Sequence, residues 1–528
     1  MSHIELLLFF YCLMCVSRKT NSAYIANRQF RGSWRCHLAT QESDYLPNKL
    51  SMPSPESTDY SPVVRWLRYL AISLFILSLC NIYLSHGAVY PEAITISTLL
   101  MSLCLIIAYL ALGIGSTTRT FFLVILSIWA FVVIWTVIQS MPLPPGIPGN
   151  AAWRVLQEAG MDSAHFISPA PADTLSSLGP ISLPAITLLS TLLLFRRDAE
   201  IERALTVFSV AGGLMATFAL IQFVAFPRSL MLAEKQHYLS SLTAPFVNRN
   251  TAATFYGVTL VAMISQLKGI RVRLIPGSDL FYRRDGRTPL NAAAWLLLAL
   301  ITLSALVLTQ SRGGVLATAA ALVCQIGAGV FLRSRQSSGG ALPAIPTSGS
   351  WRRLLRAAIL AIAAVLFASF FAGRVLLRAE TQGLEDGRLC VLPGILSAIK
   401  DHGWTGIGSG AFPAVFPAYR DAACGLVGYW PMAHNFYLDG MLALGLPFIL
   451  LMTAFLVTTA IALWIGIKRR RSKRFIVIGS ASATILVLIH SATDFSIQIP
   501  GFSVWWILFL GLSVSVSYGR RTTVKIKN

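Results

Sequence analysis

The chain has 528 residues, of which 55% are hydrophobic and only 12% charged, and its mean hydropathy is +0.65. Soluble globular chains carry about 25% charged residues, so a soluble multi-domain enzyme is excluded. The balance of 43 Lys and Arg against 22 Asp and Glu, a net +21, fits either a nucleic-acid partner or a membrane protein with its cations gathered in cytoplasmic loops.

Residues 1–60 read as an N-terminal extension. The apolar run Ile4–Val16 is too short to span a bilayer and lacks a small-residue cleavage site. A translation start at Met52 is the competing reading. Cys12 and Cys15 have metal or redox spacing, but they sit among Leu, Phe and Met with no second pair, which suits small apolar residues.

Twelve apolar runs follow, at 66–86, 93–114, 119–139, 181–195, 205–226, 251–267, 291–309, 315–332, 355–373, 439–466, 475–492 and 501–518. The expected fold is all-α, a polytopic bundle of about twelve spans. Its parts are N-terminal helices 61–204 with an outer loop 140–180, a core 205–500 with an outer loop 374–438, and a last helix with a basic tail at 501–528.

Alternating the loops from the side of Arg65 and Arg68 places 27 basic and 5 acidic residues on one side, and 10 basic and 12 acidic on the other. The first side is therefore cytoplasmic, both ends of 61–528 lie there, and nucleic acid is not needed to explain the charge. The inner loops are basic and short of aromatics and acids. The outer loops are long, so chemistry is expected outside, with 140–180 as a cover.

Four outer features carry candidate residues. In the turn Thr309-Gln-Ser311-Arg312-Gly-Gly314, Arg312 is the sole Lys or Arg in the short outer loops. An arginine at membrane depth marks a binding site or snorkels to the interface. In Asn248-Arg249-Asn250, Arg249 and Asn250 suit phosphate oxygens; alternatively Asn250 caps a helix and Arg249 anchors at the surface. His434-Asn435 leads into the tenth span, with His434 able to accept a proton near neutrality. Asp439 lies about 140° further round that helix, so no direct His–Asp pair is implied.

The fourth feature, in the long loop, contains Arg388, the run Gly406-Ile-Gly-Ser-Gly410, Tyr419 and Arg420. Without a strand and a βαβ context the glycines are not a nucleotide loop. They suit tight packing over a cavity that Arg388, Tyr419 and Arg420 could enter, or those three are solvated. Cys390 and Cys424 flank this segment and could form a disulfide. His490 and Asp494, near the outer end of the eleventh span, either support the site or cap a helix.

Taken in order, Asn248-Arg249-Asn250, Ser311-Arg312-Gly313-Gly314, Arg388 with Trp404-Thr-Gly-Ile-Gly408, and His434-Asn435 with Gly445 resemble the O-antigen ligase and polymerase superfamily over roughly 205–500. One departure is Phe448, where the family often has a small residue. The resemblance implies a C-type glycosyltransferase-like membrane fold with a large periplasmic loop, in the bacterial inner membrane. It implies transfer of a glycan from an undecaprenyl diphosphate carrier to an acceptor, which is lipid A–core, a second lipid-linked glycan or a protein Ser or Thr, in surface polysaccharide biosynthesis. No cofactor, nucleotide or metal is expected. His434 and Arg312 would be catalytic. Arg249, Asn250, Ser311, Arg388, Tyr419 and Asn435 would bind substrate, with Asp439, His490 and Asp494 behind them. A polymerase of the same superfamily is the close alternative, and a polytopic transporter the alternative of another class. A transporter would carry paired charges at mid-membrane.

Overall fold

The computed structural model describes residues 61–519 apart from 145–146, 148, 162–163, 270–271, 274–281, 284–288, 338–386 and 423–429. The N-terminal extension, the ninth apolar run at 355–373, Cys424 and the tail beyond 519 lie outside the described residues.

The helices are α1 (Pro62–Leu84), α2 (Pro91–Leu112), α3 (Arg119–Gln139), α4 (Ala151–Glu158), α5 (Pro171–Ser176), α6 (Leu178–Leu194), α7 (Asp198–Ala225), α8 (Arg249–Gly269), α9 (Pro289–Leu308), α10 (Arg312–Ser337), α11 (Gly387–His402), α12 (Phe412–Val415), α13 (Phe436–Leu444), α14 (Leu446–Arg469), α15 (Arg474–Ser491) and α16 (Pro500–Tyr518). A short hairpin, β1 (Ser229–Leu230) with β2 (Ala233–Glu234), follows α7. Nine of the described helical stretches are long and apolar enough to cross a membrane, which makes this a multi-pass membrane protein.

At the centre lies α16, buried from Pro500 to Ser517. A helix that is apolar all round and enclosed on every side is a core element. Trp505 stacks on Phe208 of α7 at 3.9 Å, and its indole N–H donates to Thr259 of α8 at 3.0 Å. Small residues allow the close approach that helix pairs use in lipid. A Cβ on Gly511 would meet Thr191 of α6 at 2.9 Å, and one on Gly479 of α15 would strike Ser265 of α8. Helix α8 is buried from Asn250 to Met263 despite its polar content. Its threonines turn back onto the helix, as in Thr254 Oγ1 to the Asn250 carbonyl at 2.7 Å and Thr259 Oγ1 to that of Phe255 at 2.8 Å. Such back-bonding lets hydroxyls sit in an apolar bundle.

Loops that charge alternation assigns to one side do meet at one end. Arg68 pairs with Glu200 at 2.8 Å, Arg470 with Asp198, and Lys473 with Glu202, so three acids of the first turns of α7 receive cations from two other places in the chain. Partly exposed pairs of this kind contribute about 0–1 kcal/mol each, so their role is registration more than stability. At the other end Gly501 N–H donates to the Gly87 carbonyl at 2.9 Å, and Gln139 donates to Thr405 at 2.8 Å and to Ala443 at 2.9 Å.

The tenth apolar run, expected to be continuous over 439–466, is two helices. Gly445 caps α13 with φ +71°, and a Cβ there would lie 2.5 Å from the Trp404 carbonyl. Only glycine allows both the backbone angle and the contact, so the chain turns before α14 begins. Phe448 finds room because its ring lies where a Cβ of Gly440 would be, 2.3 Å away.

Residues 387–435 carry a small core of their own, with Val391, Ile395, Phe412 and Phe416 packed with Leu442 of α13. The glycine run fastens this segment to the segment around Ser168–Thr174. Gly408 has φ +90°, and a Cβ on it would be 2.3 Å from Thr174 Oγ1.

Gly445→Ala should therefore destabilise by about 1–3 kcal/mol. Gly327→Ala, a helical site with nothing within 4 Å of an added Cβ, should be neutral or stabilising by up to about 1 kcal/mol. Thermal unfolding in detergent would separate them, and equal midpoints would remove the role given to the break.

Candidate functional site

Three candidate motifs converge at one end of the bundle through one chain of hydrogen bonds. Ser311 Oγ donates to Asn250 Oδ1 at 2.8 Å, and Asn250 Nδ2 donates to Asp494 Oδ1 at 2.7 Å. The other oxygen of Asp494 accepts from the Ser496 backbone N–H at 2.9 Å and from its hydroxyl. Asp494 is fully buried, Ser311 is 2% exposed and Asn250 8%. A buried carboxylate needs such donors, and here they also settle the orientation of the Asn250 amide.

These bonds join two helix starts. Arg249 is the first residue of α8 and Arg312 the first of α10. Ala253 and Gly314, one turn in, are so close that a Cβ on Gly314 would lie 2.5 Å from that of Ala253. Asn248, not Asn250, serves the start of α8, its Oδ1 accepting from the Asn250 N–H at 2.7 Å. Arg249 lies over the Tyr238 ring, 5.4 Å from its centroid. Arg312 is exposed. A helix N-terminus carries partial positive charge, so an arginine on each of two adjoining N-termini concentrates positive potential there.

His490 lies beneath the second arginine. It is 3% exposed, its Nδ1 is 2.8 Å from Thr254 Oγ1, and a Cβ on Gly313 would sit 3.2 Å from its Nε2. The Thr254 hydroxyl has one hydrogen, which goes to the Asn250 carbonyl. His490 Nδ1 is thus the donor of the pair.

His434 is on the same face, with φ +53° and its ring edge-on between Trp430 at 5.4 Å and Phe495 at 4.9 Å. Phe495 follows Asp494 directly. Asp439 accepts from the Ala433 N–H at 2.9 Å and from Gln498 Nε2 at 2.6 Å, so it holds the backbone just before His434. Asn435 caps α13, accepting from Tyr437 N–H at 3.0 Å and Leu438 N–H at 3.2 Å, while its amide donates to the Ala492 carbonyl at 2.7 Å. The side chains of Asn250, Ser311 and Asn435, expected to meet substrate, are thus engaged with the protein itself.

Tyr419 belongs to another cluster. Its hydroxyl donates to Asp401 at 2.8 Å and lies 3.2 Å from His402 Nε2. Burial first, then the bonded Asp401, pushes its pKa to about 12, so it remains a donor at neutral pH. Burial lowers the pKa of His402, against the pull of Asp401. Arg388 is in the first turn of α11. Cys390 is disulfide-bonded, and its expected partner Cys424 lies outside the described residues. Thr254, Tyr238 and Lys235 gave no signal in sequence: a threonine in an apolar helix is ordinary, and Lys235 was one among ten outer cations.

Residues 297–453 match a protein family described as O-Antigen ligase. The matched segment includes Ser311, Arg312, His434 and Gly445. Asn250, which bonds to Ser311 within it, and Asp494, which Asn250 reaches in turn, lie outside. A comparison with curated proteins finds no match.

Asp494→Leu leaves the Asn250 amide and Ser496 N–H unpaired and should cost about 2–4 kcal/mol. Asn250→Leu in the same background should add little, because the chain is already broken. Full additivity of the thermal shifts would disprove the linkage. A second expectation concerns pH. With its folded pKa below the unfolded value of about 6.5, His402 leaves stability intact above that value. Stability then falls as the pH drops below about 6.5, where the unfolded chain binds the proton first. Melting midpoints measured from neutral to acidic pH should decline, and His402→Gln should reduce the decline.

Proposed function

We propose that this chain, a member of the O-antigen ligase superfamily, transfers a glycan from undecaprenyl diphosphate to an acceptor at the outer, periplasmic face of the bacterial inner membrane. The observation that carries the reading is the Ser311–Asn250–Asp494 chain, which holds the helix starts bearing Arg249 and Arg312 together on the face that includes His434. An arginine at a helix N-terminus opposes the local dipole by about 0.3–1 kcal/mol. Two of them side by side make sense around an anion, and the diphosphate is that anion.

In this reading Arg249 and Arg312 bind the diphosphate and offset the charge that grows on it as the glycosyl C1–O bond breaks. His434 orients the acceptor hydroxyl and takes its proton as the new C1–O bond forms. The electron pair of the broken bond leaves with undecaprenyl diphosphate, so no nucleotide is consumed. The arginines fill the part a metal would otherwise play. Asn250, Ser311, Asn435, Asp439, His490 and Asp494 hold these groups in position, while Arg388 and Tyr419 belong to the segment that faces the acceptor. Twelve spans with the basic end inside put both ends of 61–528 in the cytoplasm, and a Cys390–Cys424 bond closes the periplasmic loop.

The acceptor is lipid A–core for a ligase, or a second lipid-linked glycan for a polymerase; the donor chemistry is the same. Arg312→Ala should lower transfer from a lipid-diphosphate donor by about 10²–10³-fold, and His434→Ala by about 10²–10⁴-fold. Purified variants retaining full activity would overturn the assignment. Solute flux through proteoliposomes that survives both substitutions would favour transport instead. Offering each acceptor separately to the wild-type protein distinguishes ligase from polymerase.

A further inference from the structure

The segment between α7 and α8 contributes a strained aromatic residue to the site. Tyr238 has φ +53°, a region that bulky side chains rarely occupy and that persists only where neighbours impose it. The neighbours here are specific. Lys235, 6% exposed, donates its ammonium to the Ser241 carbonyl, and the Ser241 N–H donates to the Tyr238 carbonyl at 3.0 Å. The Ser240 carbonyl accepts from Gln310 Nε2 at 2.8 Å, and Leu242 N–H donates to the Leu308 carbonyl at 2.9 Å. Behind the segment, Gln222 holds Met231 through both backbone groups, at 2.9 and 3.1 Å.

The outcome is a loop bolted at one end to itself and at the other to the turn carrying Arg312. It presents the Tyr238 ring to the Arg249 guanidinium, 5.4 Å from the ring centroid. Tyr238 is 38% exposed, so core packing does not explain its placement. A guanidinium over an aromatic face directs its N–H groups outward, parallel to the ring, which is the geometry a planar acceptor meets.

We propose that residues 235–242 are the orienting arm of the anion site, with Tyr238 the platform that sets Arg249 and Lys235 the clamp that holds Tyr238. Both are positioning residues. The inference rests on the reading of Arg249 as a diphosphate ligand, and adds which residues fix its geometry.

The test measures binding of undecaprenyl diphosphate to the full chain in lipid nanodiscs. Tyr238→Leu should weaken binding about fivefold with an unchanged thermal midpoint, while Tyr238→Phe, which keeps the ring, restores it. In an Arg249→Met background, Tyr238→Leu should have no further effect, because the platform then has nothing to set. Lys235→Met should act in the same direction as Tyr238→Leu. Wild-type affinity in Tyr238→Leu, or an equal loss with and without Arg249, overturns the inference while the diphosphate reading stands. Wild-type protein that binds no undecaprenyl diphosphate overturns both.

Discussion

A buried carboxylate organises the site end of this bundle. Asp494 is fully buried, so its polar atoms are met from within the protein, and Asn250 and Ser496 donate to it. The Asn250 amide is thereby turned so that its oxygen faces Ser311. Because each of these residues is next to, or one turn from, a candidate reactive group, satisfying one charge sets the positions of Arg249, Arg312 and, through Phe495, His434. Leaving such a group partly satisfied costs more than the bonds themselves return, which gives the arrangement little freedom to drift.

The two halves of the site are mounted differently. Both arginines begin helices embedded in the bundle, α8 and α10. His434 sits on the approach to α13, a short helix separated from α14 by Gly445 and packed with the core of the outer segment. In the proposed reading, the groups that meet the lipid-linked donor are thus on helices of the bundle, and the group that meets the acceptor is on a more independent element. This division suits a reaction in which the donor stays the same while acceptors differ.

Much of this could be read from the amino acids. Charge alternation sorted the loops, and Arg68, Asp198, Glu200, Glu202, Arg470 and Lys473, scattered over the chain, do meet at one end. Arg312 was conspicuous because nothing in the topology asks for a cation there. The glycine run was read as packing, and Gly408 against Thr174 is that. What stayed hidden depends on partners distant in sequence. Asn250, Ser311 and Asn435 have the chemistry of ligands, and only the fold shows their polar atoms engaged by Asp494, by each other and by Ala492. Hydropathy made 439–466 one span, since a glycine among apolar residues does not lower the average enough to show a turn. Nor could it rank the helices, because α16 is no more apolar than α3, which is mostly exposed.

That rank has a consequence for how the molecule is made. Synthesis is vectorial, so α16 enters the membrane after α1, α6, α7, α8, α14 and α15, the helices that enclose it. Until then the space reserved for Trp505, Phe509 and their neighbours must be filled by lipid or held by an insertion partner, and the threonines and glycines facing it have no protein surface to meet. The described bundle can close around its central helix only once that helix, the last of the described ones to be made, has arrived.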